Sequence, residues 1–177
     1  MNAAVAKKAI KPTAIPTVAG TPFAGGLYAG RFFIGTQPYA LIVSPTTEGD
    51  LDPQPWNKSV KNVASALSYC DGLANTEAMV KAGSALAKSV RALTIGKLHD
   101  WYLPSRLESL LLFGALRDVK AFAEKGAQPI AREWYWTSTH CASNDDYAWI
   151  QSFYYGSQSY VRKSDDFRAR AVRRVKL

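Results

Sequence analysis

The sequence predicts an α+β fold class. Three observations carry it: a turn-bounded pair of β-type runs near the start, a middle third with helical spacing and a capping signature, and a last third of short aromatic runs between polar turns. With 177 residues, 47% of them apolar, the chain has the length of one domain with an arm and enough apolar content for a packed core. Residues 1–21, rich in Ala, Lys, Pro and Thr and without amphipathic period, read as an extended arm, and 22–177 as one domain.

From Leu27 to Ile34 and from Tyr39 to Ser44, aromatic and β-branched residues flank Gly35-Thr36-Gln37-Pro38, the pattern of a β-hairpin. Pro45 to Pro55 is polar and turn-rich and reads as a loop. Val60, Val63, Ala64 and Leu67 recur at helical spacing up to Cys70, with Asp71-Gly72 as a stop. Asn75 then suits an N-cap, and Met79, Leu86, Val90 and Leu93 give a second helix ending near Gly96. Ser105 and Glu108 after Pro104 form a capping box that opens a third helix through Leu110, Leu111 and Phe113, with more helical pattern from Ala115 to Glu124. Trp134 to Thr139, Tyr147 to Phe153, Ser157 to Lys163 and Arg168 to Val175 are β-type segments, expected to pair antiparallel.

Composition excludes several classes. Two cysteines, Cys70 and Cys141, cannot make a disulfide scaffold, and with only His99 and His140 they leave no spaced zinc set. The apolar runs are far shorter than the roughly 18 residues of a membrane helix, and no apolar stretch of signal-peptide length follows the first lysines, so neither insertion nor a secretory leader is expected. The net charge of +8 lies at the two ends: +3 over 1–11 and +5 over 162–176, against 12 basic and 12 acidic residues between. In Arg168 to Val175 the arginines partly alternate with Ala and Val, the period of a half-buried edge or inter-subunit strand with locally paired arginines. Without a groove-reading motif, no nucleic acid is expected.

Ten of the 21 aromatics lie between Trp134 and Phe167. On a strand Trp134 and Trp136 share a face opposite Tyr135, and Tyr147 shares one with Trp149; these tryptophans read as buried framework. Tyr154, Tyr155 and Tyr160 stand among Ser, Gln and Asn at or beside turns, where rigid amphipathic rings and small polar residues make a binding surface.

In order along the chain, Trp101-Tyr-Leu-Pro-Ser-x-x-Glu108, Tyr135-Trp-Thr-Ser-Thr139, Tyr147-Ala-Trp149, Phe153 with Gly156, and Arg168-Ala-Arg-Ala-Val-Arg173 resemble the Lcl C-terminal-type domain of bacterial adhesins and of phage and prophage proteins. Gly25-Gly26-Leu27-Tyr28 and Asp71-Gly-Leu-Ala-Asn-Thr76 extend the likeness upstream to about Pro22. The resemblance implies a C-type-lectin-like fold, in which a tryptophan-rich framework presents a variable surface, as in the variable proteins of diversity-generating retroelements. The residue types such diversification yields stand here at Asn144, Asp145, Asp146, Tyr154, Tyr155, Ser157, Gln158, Ser159, Tyr160, Ser164 and Asp165, which are the candidate ligand-binding residues.

The expected function is therefore a tail-associated phage virion protein that binds a bacterial cell-surface receptor, protein or glycan. It would assemble in the host cytoplasm as a homo-oligomer with other virion proteins. The alternative is a structural subunit, at the collar, decoration or tail tip, that binds virion proteins alone. No catalytic residue, metal or cofactor is expected. Cys70 and Cys141 fall on different elements, unlike the close pair of formylglycine-generating oxidases. Asn144 to Asp146 lack the Glu-Pro-Asn or Gln-Pro-Asp triplet of calcium lectins, and read as a solvated acidic loop. His140 and Cys141, adjacent on a strand, point to opposite faces, and His99-Asp100 reads as a turn.

Overall fold

The computed structural model describes residues 15–59, 62–123 and 125–177. Met1 to Ala14 of the arm, and Val60 and Glu124 of the predicted helices, lie outside the described residues. The architecture is α+β, with two mainly antiparallel sheets and short helices, and is compatible with a C-type-lectin-like fold. No helix among the described residues is long and apolar enough to cross a membrane.

Gly35, at a φ of 58°, turns the predicted hairpin of β2 (Gly26–Ile34) and β3 (Gln37–Val43). A two-residue β1 (Pro22–Phe23) flanks β2, and β9 (Val172–Lys176) flanks β3, giving a four-stranded sheet in the order β1-β2-β3-β9. Alternation along β3 divides its faces. Leu41 and Val43 join a core with Tyr102, Leu112 and Tyr135, whereas Ala40 and Ile42 pack on Tyr28 and Ile15. The described end of the arm thus lies on the outer face of this sheet, where the Gly20 N–H donates to the Tyr28 carbonyl.

The second sheet has the order β4-β8-β5-β6-β7, from β4 (Asp50–Pro55), β8 (Asp166–Arg170), β5 (Trp134–His140), β6 (Tyr147–Ser152) and β7 (Gln158–Arg162). Its inner face meets the helices α2 (Gly72–Lys81) and α3 (Ala85–Arg91) over Trp56, Trp101 and Trp136, all fully buried. Indole N–H groups of Trp56 and Trp136 donate to the carbonyls of Thr137 and Gln54, 2.8 Å each, so each ring satisfies its polar edge on the neighbouring strand. Trp134 and Trp136 serve this core while Tyr135 serves the other, as the strand period predicts.

Five expectations are corrected. Pro45 to Pro55 is not a loop but a one-turn helix, α1 (Thr46–Gly49), followed by β4. Among the described residues no helix runs up to Cys70; a 3-10 turn covers Ala64–Ala66 and Cys70 lies in a bend, while Asp71 starts α2 as its N-cap by accepting from the Ala74 N–H at 2.9 Å. Asn75 is instead buried within α2, where its side chain accepts from the Ser68 N–H and donates to the Ser68 carbonyl. The segment to Gly96 is two helices, because Gly83 adopts a φ of 90° and Ser84 caps α3. Past the capping-box helix α4 (Arg106–Leu116), the chain makes only a 3-10 turn at Lys120–Phe122.

The final segment is also split. β8 and β9 belong to different sheets, Ala171 is the crossing point, and β8 pairs with β5 in parallel at Tyr135 and Arg168. Ala171 exchanges hydrogen bonds with Gly49 and Ser44, at the return crossing from β3 to β4. The arginines pair locally, as expected: Arg168 and Arg170 with Asp50, Arg173 with Asp100, and Arg174 with Asp71.

Candidate binding surface

The candidate residues all fall on β7 and the turns around it, at the free edge of the five-stranded sheet. They form two groups at opposite ends of the β6–β7 hairpin. Tyr154, Tyr155 and Ser157 occupy its turn; Asn144, Asp145 and Asp146 lie beside Ser164 and Asp165 at the other end, where the Lys163 N–H donates to the Asp146 carbonyl. The intervening strand, with Gln158, Ser159 and Tyr160, spans roughly 17 Å at 3.4 Å per residue. All are exposed except Gln158, which is half-buried.

A bulge in β5 builds the middle of this surface. Between Trp136 and His140 the ladder to β6 is interrupted; the Thr137 hydroxyl donates to the Trp149 carbonyl, and the Ser138 N–H turns to the Pro104 carbonyl at 2.8 Å. The start of α4 docks there, with the Arg106 N–H on the Thr139 hydroxyl. That seating lays the Arg106 guanidinium 3.3 Å from the ring centre of Trp149 and 5.0 Å from that of Tyr69. Arg106 Nε donates to Gln158 Oε1, and Gln158 Nε2 donates to the Arg106 carbonyl and to Gln151 Oε1, which holds the edge strand against the helix. Tyr160 stands edge-on to Trp149 and Tyr147 at 5.2 and 5.9 Å. Trp149 is therefore half-buried in a surface stack rather than part of the framework. Tyr69 and Arg106 were missed because their strand partners lie far along the chain and neither residue stands in a tyrosine-rich turn.

At the hairpin turn, backbone N–H groups of Tyr154 and Tyr155 both donate to the Ser152 hydroxyl, fixing the backbone while the rings remain 50% and 72% exposed. The rings stand edge to face, 4.5 Å apart, beside a cleft of about 430 Å3 with Arg117 and Arg132 on its rim and Phe122 and Phe153 among its walls. Gly156 permits this turn, with a φ of 79° and the Phe113 ring directly against its α-carbon. Gly156→Ala is expected to destabilise by about 2–3 kcal/mol through left-handed strain and overlap with Phe113, checked by urea unfolding with circular dichroism.

At the other end Lys163 is fully buried, its ammonium on the Asp145 carbonyl and 5.1 Å from the Trp56 ring centre. Burial pulls its pKa down to about 8, against the opposing pull of Asp145 and Asp146. Burial also lowers His140, whose Nδ1 meets the Tyr147 carbonyl at 3.2 Å while Nε2 lies 3.8 Å from Asp145 Oδ1. Asp145 Oδ1 accepts from Asn62 at 2.6 Å and Asn144 Oδ1 from the Asp146 N–H, so these loop oxygens serve the turn itself. Among the described residues no three of His, Cys, Asp and Glu group to hold a metal ion. His99 and Asp100 are tied to Thr94 and Arg173 respectively.

Comparison with protein families matches the Lcl C-terminal domain over residues 46–173, from the first helix to the last strand. No curated protein matches the chain.

Proposed function

The chain belongs to the Lcl C-terminal domain family, and on that premise we propose that it is an adhesin of a phage or prophage particle that attaches to a bacterial surface receptor. The observation that carries this reading is the grouping of Tyr69, Tyr154, Tyr155 and Tyr160, four of the large side chains left exposed, around one sheet edge whose backbone is held by half-buried polar contacts. Large rigid rings on a fixed backbone lose little entropy when they bind, and exposed aromatics otherwise cost solubility. The turn residues can vary without touching either core, which suits a surface whose specificity is retargeted. On this reading the chain acts by binding alone, as a homo-oligomer assembled in the host cytoplasm and carried on the tail. Multivalency lets weak single sites suffice.

The test is a pull-down on host envelope fractions. The triple variant Tyr154→Ala/Tyr155→Ala/Tyr160→Ala is expected to fold as the wild type, because exposed positions contribute little to stability. It should bind at least about ten-fold less envelope, a loss of about 1.4 kcal/mol. Equal saturable binding by both proteins would move the site elsewhere. If neither bound envelope, even when clustered, while the wild type associated with other virion components, the role would be that of a structural subunit.

A further inference from the structure

The edge of the four-stranded sheet at β9 is open along its last residues. Arg173, Val175 and Leu177 face β3, so the backbone N–H and C=O groups of Arg174 and Lys176 face outward. Val172, also outward, is taken by Tyr102, with N–H to carbonyl bonds in both directions at 2.8 and 2.9 Å. Beyond that bridge the chain departs through Asp100, and a cleft of about 660 Å3 opens between β9 and the 96–100 turn. Arg174 and Lys176 have no backbone hydrogen-bond partner among the described residues.

The walls of the cleft are apolar, with Leu73, Leu98, Tyr102 and Val175, and Leu98 closes one end against the α-carbon of Gly25. Its charge is cationic. Arg173 and Arg174 are bound to Asp100 and Asp71, but Lys176 on one wall and Lys97, in the turn beside the lining residues Gly96 and Leu98, are exposed and without an ion pair among the described residues. We propose that this edge accepts an extended segment of another protein, apolar at alternate positions and carrying carboxylates, as an added strand of the sheet. Main-chain bonds to Arg174 and Lys176 supply affinity, the cleft takes alternate side chains, and the two lysines select acidic partners. A second copy of the same edge would set Lys176 against like charge and fits worse.

The probe is a capped synthetic peptide of alternating Val and Glu, compared with its Val and Lys counterpart by fluorescence anisotropy and by amide exchange on the intact protein. The acidic peptide is expected to bind at least about ten-fold tighter and to slow exchange at Arg174 and Lys176. Lys176→Pro removes one outward N–H without touching the ladder to β3 and should lose binding. Lys176→Glu, which keeps the N–H, should reduce the preference for the acidic peptide. Absence of saturable binding, equal affinity for both peptides, or binding that leaves those two amides exchanging freely would overturn the proposal. So would protection of both amides before peptide is added, which would assign the edge to this chain's own residues or to a second copy. Envelope binding through the tyrosine edge is independent of Lys176, so its loss or survival reports on the receptor reading alone.

Discussion

Asp50→Ala is expected to cost about 3–5 kcal/mol, the range for removing one partner of a buried ion pair. Asp50 opens β4 where the chain crosses from one sheet to the other, and its carboxylate receives Arg170 Nη1 at 3.5 Å, Arg168 Nη2 at 3.3 Å and the Tyr135 hydroxyl at 3.2 Å. Arg170 is 1% exposed, and it ties the same crossing by donating to the Ser44 carbonyl at 2.7 Å and the Thr46 hydroxyl at 3.0 Å. Removing the carboxylate leaves a guanidinium that cannot reach water. Arg168, more exposed, can turn outward. The double variant Asp50→Leu/Arg170→Met, which leaves no buried charge, should therefore be more stable than Asp50→Ala. Urea unfolding measures both. A single variant within about 1 kcal/mol of wild type would mean that the pair does not hold the crossing.

The same crossing shows where sequence reasoning runs out. Arg168 to Val175 reads as one strand because alternation does not record which sheet each half joins; only the bonds of Ala171 to Ser44 and Gly49, more than 120 positions away, divide it. Hairpin, capping box and inward faces of β5 were legible because each is decided by neighbours within a few residues. Asp71-Gly72 was misread for the opposite reason: the pair can end one helix or cap the next, and the choice is made by Glu108. That carboxylate accepts the Gly72 N–H at a spot where a side chain on Gly72 would overlap it. Motif blocks that carry the family likeness are framework, since Trp101 to Glu108 and Tyr135 to Thr139 meet at the start of α4. The tyrosines of the candidate surface were legible as turn residues. Arg106 and Tyr69 were not, because their place beside Trp149 depends on a bulge in another element.

Glu108 ties the cap of α4 to the start of α2 and to Tyr102, and a second large effect is expected there. Its side chain is fully buried; Oε2 accepts from the Ser105 and Gly72 N–H groups at 2.7 and 3.1 Å, and Oε1 accepts from the Tyr102 hydroxyl at 2.7 Å. Burial pushes its pKa from 4.5 up to about 7, outweighing those donors and the nearby Arg174. A raised carboxyl pKa means that the folded protein keeps a proton the unfolded chain has released. The contribution of this group is thus most favourable below about pH 4.5, declines as the pH rises to about 7, and is flat above. At about 1.4 kcal/mol per pH unit the decline amounts to about 3 kcal/mol. When protonated, Glu108 can donate to the Tyr102 hydroxyl oxygen, so the network survives with one bond reversed. Glu108→Gln reproduces that neutral state, its carbonyl on the two N–H groups and its amide on Tyr102. It should abolish the pH slope and match or exceed wild-type stability above pH 7. Glu108→Ala strands two buried N–H groups and a hydroxyl and should cost about 3–5 kcal/mol near pH 4.5, since each unsatisfied donor costs about 1–3 kcal/mol. That cost should shrink as the pH rises to about 7, because wild type alone loses the about 3 kcal/mol that titrates with Glu108. Unfolding free energies of the three proteins between about pH 4.5 and 8 separate these outcomes. A Gln variant that retained the wild-type slope would assign the titration to another group, and an Ala variant of wild-type stability near pH 4.5 would mean that the cap of α4 does not depend on this carboxylate.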